Sequence, residues 1–386
     1  MAPHRHTGRR RIALTGSWLA AVIALVLAAP ALLPMPNLEL WALGMLVTEF
    51  SLALAGLAAL GAGAAVLARR WGAAWSAGVV AFVNATLLVA GLLPPVSAWA
   101  TARELDVRLS PSRYFGGLSS TAARGPDATV RYARIGGTDL MLDVWRPPRP
   151  TGAPAPAVIN IHGGTQQAGQ SLFPRWDAWL ADSGYVVFDI SYRFFRSGDW
   201  RTTPGDVKCA LGWVARNAAR YGADPDRIVM MGQSAGGYLA LLASYTTAAE
   251  LPATCPAPQP DIAAVVAWYP PADLARPMTP SFRLAEPLRR QLTEEGPLPS
   301  PQEAGRVSPL TYLRRGLPPT LLVQGGRDFL QPAADTRAFA GRLAAAGVEH
   351  RLVEIPYADH QFDLSWGGFG SQITRHVTER FLREVR

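Results

Sequence analysis

Three residue types in one order suggest a reaction. Ser234 sits in Gly232-Gln233-Ser234-Ala235-Gly236, Asp328 follows Gly325-Gly326-Arg327, and His360 closes Tyr357-Ala358-Asp359-His360. A serine hydroxyl is a weak nucleophile until a base takes its proton, and imidazole is the base best matched to neutral pH. A carboxylate on the far nitrogen then holds the imidazole tautomer. The expected chemistry is attack on a carbonyl carbon by Ser234, with His360 shuttling the proton and Asp328 orienting the ring.

The neighbouring sequence fits that use. The apolar run Ile228–Met231 reads as a buried strand, and an apolar, helix-forming stretch follows Gly236. A serine between strand and helix sits on a sharp turn that lifts its hydroxyl clear of the sheet. Glycines two before and two after leave room for the crowded backbone. The new helix offers its first N–H groups to a developing oxyanion, Ala235 first. His162-Gly163-Gly164 follows another short apolar run, Ala157–Ile161, and its glycine N–H groups are the expected second half of the oxyanion hole. Thr165 stands where a third glycine is common in such loops. His162 reads as a structural residue of that loop.

Rivals exist for base and acid. His4 and His6 precede the first apolar stretch, His350 opens a strand, and His376 lies in a terminal helix. Asp359 and Asp363 flank His360. Asp328 is preferred because Asp359 adjoins the histidine and would need an unusual turn.

The elements that must position these residues alternate. Val130–Ile135 and Leu140–Trp145 flank Gly136-Gly137 and predict an antiparallel hairpin. Strands are expected at Ala157–Ile161, Tyr185–Ile190, Arg227–Met231, Ile262–Trp268, Thr320–Gln324 and Arg351–Ile355. Helices are expected near 171–182, 205–220, 235–248, 332–346 and 370–385. Strand–helix alternation predicts an α/β fold, a mostly parallel doubly wound sheet. All three catalytic candidates then fall after strand C-termini, the edge where such sheets bind ligands.

Residues 130–385 resemble the α/β-hydrolase esterases, in particular the hormone-sensitive-lipase-like and feruloyl-esterase-like carboxylesterases. The resemblance rests on Leu142-Asp143-Val144-Trp145-Arg146-Pro147, Ile161-His162-Gly163-Gly164, Asp189-Ile190-Ser191-Tyr192-Arg193 and Pro204-Gly205-Asp206-Val207. It continues through Tyr221–Ile228, Gly232–Gly237, Gly326-Arg327-Asp328 and Ala358–Phe362. The stretch Met231–Gly236 is also similar to the membrane-bound prenylcysteine methylesterases. The resemblance implies a Ser234–His360–Asp328 triad, an oxyanion hole from the N–H groups of Gly163, Gly164 and Ala235, and an ester substrate. It implies neither cofactor nor metal.

The first hundred residues fall outside that resemblance. The chain has 386 residues, of which 49% are hydrophobic and only 17% charged. A soluble chain carries about 25% charge. No charge occurs across Ile12–Leu38, Phe50–Ala68 or Trp71–Ala102. Crossing a bilayer takes roughly 20 apolar residues, so spans are expected near 13–33, 41–67 and 73–97. Trp41, Trp71 and Trp99 lie near their ends, where indoles favour the interface. Glu49 is expected to reach the headgroup level. Arg5, Arg9, Arg10 and Arg11 precede the first span, and Arg69 and Arg70 separate the second and third. The positive-inside rule places both arginine groups in the cytoplasm and everything after residue 100 outside. A cleaved signal peptide at Ala28-Ala29-Pro30-Ala31 is the rival for the first span, but its apolar run exceeds the usual 7–15 residues.

The expected organisation is therefore a membrane region (1–100), a linker (101–127) and a catalytic domain (128–386) with a small cap at 270–318. Pro270, Pro271, Phe282, Leu284 and Tyr312 are candidates for an acyl pocket, as against a surface insertion. Phe194, Phe195 and Trp200 either line the cleft or pack the core. The expected partners are a small-molecule, lipid or glycan ester and membrane lipid. The net charge of +8 comes from scattered arginines and one lysine, Lys208, which is no nucleic-acid face. Cys209 and Cys255 can pair if the domain is extracytoplasmic, and the sequence leaves that open. An acyltransferase on the same triad and a non-catalytic protein of this fold are the alternative functions.

Overall fold

The computed structural model describes residues 3–32, 38–71, 73–117, 119–149, 152–164, 169–194, 199–274 and 300–385. Eight strands form one sheet: β1 (Ala128–Ile135), β2 (Thr138–Trp145), β3 (Ala155–Ile161), β4 (Val186–Ile190), β5 (Ala223–Gln233), β6 (Ala264–Trp268), β7 (Thr320–Gly325) and β8 (His350–Ile355). Their spatial order is β1-β2-β4-β3-β5-β6-β7-β8. The β1–β2 hairpin and the β2–β4 pair are antiparallel, and β4, β3, β5, β6, β7 and β8 run parallel. The central strands are buried on both faces, as helix-covered parallel strands must be.

Strand alternation divides the core in two. On β3, Ala157, Ile159 and Ile161 face one core layer and Val158 the other.

In chain order the helices are α1 (Pro3–Leu32), α2 (Leu38–Glu49), α3 (Ser51–Arg70), α4 (Ala74–Glu104), α5 (Pro174–Asp182), α6 (Thr202–Asn217), α7 (Ala235–Tyr245), α8 (Pro301–Arg306), α9 (Ala333–Ala345) and α10 (Phe369–Glu384). Helices α6, α7 and α9 cover the first face. Helices α5 and α10 cover the second, together with the end of α4.

Helices α1, α3 and α4 form an alanine-rich bundle. Ala24, Ala28, Leu54, Ala58 and Leu87 meet at one level, and Ala68, Ala73 and Ala77 at another. Ser17 donates to the Gly61 carbonyl (2.8 Å), and Asn84 donates to the Val80 and Ser17 carbonyls. Small residues with a few interhelical hydrogen bonds are how helices associate in lipid. Three stretches are long and apolar enough to span: Thr7–Ala29, Ser51–Arg70 and Trp75–Glu104. Outward-facing Leu19, Leu25, Leu60, Phe82 and Val89 give the bundle an apolar exterior.

Three boundaries differ from the sequence expectation. The span expected at 41–67 is divided at Phe50, which leaves the helical region (φ −101°, ψ 29°) between α2 and α3. The helix of the third expected span, α4, runs on to Glu104 rather than 97, through Pro94 and Pro95. The expected linker at 101–127 is packed down: Val107 and Tyr114 are buried, and Gln372 of α10 pairs with both the N–H and the C=O of Ser110. Only parts of the expected cap are described. Pro270 is buried, Pro271 is half-buried, and Tyr312 lies against the first core layer with its hydroxyl on the Arg306 carbonyl (2.5 Å). Phe282, Leu284, Phe195 and Thr165 lie outside the described residues. Phe194 and Trp200 pack on the core.

Cys209 of α6 and Cys255 form a disulfide that closes a 46-residue separation. A loop of that length implies about 2–4 kcal/mol of stabilisation. Cys209→Ala/Cys255→Ala is therefore expected to lower the urea-unfolding free energy of the full chain by about that amount. A change below about 0.5 kcal/mol would show that the bridge does not constrain the unfolded chain.

Candidate active site

Ser234 occupies the turn from β5 into α7. Its φ of 54° is a backbone state a side-chain-bearing residue rarely takes, and such strain gathers at functional sites. The surroundings enforce it. Ser234 donates its backbone N–H to Trp268 (2.9 Å) and accepts from Tyr238 N–H (3.0 Å), so strand neighbour and helix hold it from both sides. At Gly236 an added Cβ would lie 1.8 Å from the Ile161 carbonyl oxygen. The two flanking glycines thus reflect close approach of β3, β5 and α7.

His360 sits in the loop after β8, with its ring between two partners. Nε2 is 2.9 Å from Ser234 Oγ, and Nδ1 is 2.9 Å from Asp328 Oδ2. Burial lowers the basicity of His360, but the hydrogen-bonded Asp328, with Asp359 and Asp363 behind it, outweighs burial and leaves its pKa above 6.5. Asp328 follows β7. Its second oxygen accepts the N–H groups of Leu330 (2.9 Å) and Gln331 (2.7 Å). The carboxylate cannot turn away from the ring without breaking those bonds.

The three aspartates take separate tasks. Asp328 alone bonds the imidazole. Asp363 accepts the Tyr269 hydroxyl (2.5 Å). Asp359 Oδ1 accepts backbone N–H groups of both Phe329 (2.9 Å) and His360 (2.7 Å), clipping the acid loop to the histidine loop. Burial first, then the nearby Asp328, pushes Asp359 up to about 6, against those two N–H groups. Burial also raises Asp363 to about 6.

The His162–Gly164 loop runs beside the nucleophile. A Cβ on Gly163 would come 2.6 Å from the Gln233 carbonyl oxygen and 3.2 Å from Ser234 Cβ. Gly164 has φ 96°, a glycine conformation. Ala235 is the first residue of α7. The three expected oxyanion residues therefore lie on segments flanking Ser234. His162 is buried, stacks on Tyr192 at 4.4 Å and is pushed down to about 4, chiefly by burial. Burial and stacking tie it to the core beside the loop. His350 bonds the Val348 carbonyl at the start of β8, away from the loops after the strand ends, and His376 lies in α10.

Four residues take places here that the sequence does not assign to them. Gln324 ends β7 and donates to Asp328 Oδ2 (3.0 Å) and the Gln331 carbonyl (2.9 Å), while accepting from Thr336 (2.8 Å). A glutamine in a fully buried strand was the available signal. Tyr269, at φ 39°, places its ring 4.4 Å from that of His360. Asp359 was weighed only as a catalytic acid. Trp41 was read as an interface anchor, yet it is buried against the acid and histidine loops. Glu49, the last residue of α2, lies beside Gly368. The break at Phe50 separates α2 from α3, and α2 lies against the loops after β7 and β8. Among the described residues no group of His, Cys, Asp or Glu is arranged to hold a metal.

Comparison with known proteins agrees with this fold. The BD-FAE family profile matches residues 142–343, more than half of the chain. Esterase LipC of Mycobacterium tuberculosis is 32% identical over 254 residues, 64% of this chain and 62% of its own length. Esterase LipQ of the same organism is 30% identical over 269 residues, 66% and 60% respectively. The chain thus spans about three-fifths of the length of these curated relatives. The apo structure of Thermogutta terrifontis esterase 2 superposes with a TM-score of 0.55 at 26% identity, covering 69% of this chain and 96% of that one. From the eight-stranded sheet, the serine turn and the profile match together, the chain belongs to the BD-FAE family of α/β-hydrolases.

Proposed function

We propose that the chain is a membrane-anchored serine carboxylesterase. The observation that carries this is the continuous relay Ser234 Oγ–His360–Asp328, with both hydrogen bonds at 2.9 Å. His360 Nε2 takes the Ser234 proton as Oγ attacks the ester carbonyl. The tetrahedral oxyanion is met by N–H groups of Gly163, Gly164 and Ala235. The protonated imidazole, held by Asp328, returns the proton to the leaving alcohol and leaves an acyl-Ser234 enzyme. Water activated by the same imidazole releases the acid. No cofactor enters the cycle. Esterase relatives support the reading, and the Thermogutta esterase has been captured with propionate and phosphonylated by sarin.

The same reading places the catalytic unit outside the cytoplasm. Its support is the arginines in the N-terminal turns of α1 and at the end of α3, the odd number of spanning stretches, and the disulfide, which belongs to oxidising compartments. The substrate is an ester of a small molecule, lipid or glycan, drawn from or near the membrane.

Ser234→Ala in the folded full chain is expected to cut p-nitrophenyl acetate hydrolysis by at least ~10⁴-fold. Unchanged hydrolysis would overturn the assignment. An impermeant fluorophosphonate should label intact cells expressing the wild type and not the mutant. Labelling by a permeant probe alone would keep the enzyme and reverse the topology. Neutral imidazole is the active form, so kcat/KM should rise with pH through an apparent pKa above 6.5. Asp328→Asn removes the main acidic neighbour, so this limb should move to lower pH while kcat falls by about 10⁴-fold. A limb left in place would show that another carboxylate sets the basicity of His360.

A further inference from the structure

The N-terminal region does more than hold the catalytic unit. Helix α2 lies on the two loops that carry Asp328 and His360. Trp41 and Met45 are buried there against Phe329, Leu330 and Leu364. The indole Nε1 of Trp41 donates to Asp359 Oδ2 at 3.1 Å, across 318 residues of sequence, and its ring lies 6.3 Å from the His360 ring.

Asp359 joins these parts. One of its oxygens holds Phe329 N–H and His360 N–H, so a single carboxylate fixes the spacing of acid loop and histidine loop. The other oxygen faces Trp41. A half-buried carboxylate needs donors on both oxygens to keep its charge and direction. Without the indole N–H, Oδ2 loses that donor, and the clip between the loops loosens.

We propose that Trp41 is a positioning residue of the active centre, acting through Asp359 to hold His360 between Ser234 and Asp328. This builds on the esterase reading and adds a contribution from outside the profile-matched segment 142–343. Trp41 does not touch the reacting atoms. Its effect falls on the geometry of proton transfer, so it belongs in kcat rather than in substrate binding.

The test is a double-mutant cycle on the full chain in detergent or nanodiscs, with p-nitrophenyl butyrate. Wild-type turnover and its loss in Ser234→Ala are measured first, so failure of the esterase reading is seen separately. Trp41→Phe keeps an aromatic ring and removes the N–H. It is expected to lower kcat about tenfold with KM within about twofold, a size typical of a supporting hydrogen bond. Asp359→Asn should lower kcat to a similar degree. The double mutant should be no slower than Asp359→Asn alone, because Trp41 acts through that carboxylate. If Phe is not tolerated at 41, Trp41→Leu enters the same cycle. Wild-type kcat in the Trp41 variant, or losses that multiply in the double mutant, would overturn the proposal.

Discussion

One imidazole has to reach two partners at once. Its nitrogens lie in a plane and point apart, so Ser234 and Asp328 must sit on opposite sides of His360 within hydrogen-bond distance. The three residues arrive on loops after three different strands, β5, β7 and β8. Much of the surrounding structure serves that demand. The serine is forced into a left-handed backbone state by a helix packed against β3. Asp328 is held by Leu330, Gln331 and Gln324, and Asp359 binds the acid loop to the histidine loop. Tyr269 stands against the imidazole from the end of β6.

How much of this was legible follows the range of the interactions. The serine turn is local: glycines at 232 and 236 are set by backbone contacts around one strand end, and the pattern appears in five consecutive residues. The alternating elements were legible too, because burial on both faces demands unbroken apolar runs in the central strands. The choice among Asp328, Asp359 and Asp363 rested on an argument about turns. The reason that Asp328 alone of the three bonds the imidazole is tertiary: backbone N–H groups hold Asp328 and Asp359, and the Tyr269 hydroxyl holds Asp363. The break at Phe50 falls where Glu49 precedes the uncharged run Phe50–Ala68, but one acid beside apolar residues does not specify a helix end. The contact that Trp41 makes was not legible. Its partner is 318 residues away, and an indole near the end of an apolar stretch looks the same facing lipid or protein.

Two of the motif residues, Arg193 and Asp206, pair with each other rather than with the triad. Arg193 donates its backbone N–H, Nε and Nη2 to the fully buried Asp206, which also accepts from Thr254 beside Cys255. That knot ties the loop after β4 to the start of α6 and the disulfide loop. A buried ion pair of this kind is held by its geometry, since loss of either partner strands a charge away from water. Lys208, the single lysine, is buried under the carbonyls of Thr246, Thr247 and Leu251 and closes the segment after α7. The same sequence text therefore marks scaffold as well as chemistry.

Helix α4 has 31 residues without a break. At 1.5 Å per residue it is about 46 Å long, against roughly 30 Å of hydrocarbon. Its last turns, with Ala98 and Ala102, are already part of the second core layer, and the segment after it is bonded to α10. No swivel separates stem from head. In a bilayer, such a rigid mast would fix the altitude and compass bearing of the catalytic mouth. The Ser234 turn would then survey a thin slab above the lipid, its reach set by lateral diffusion instead of by a tether's length.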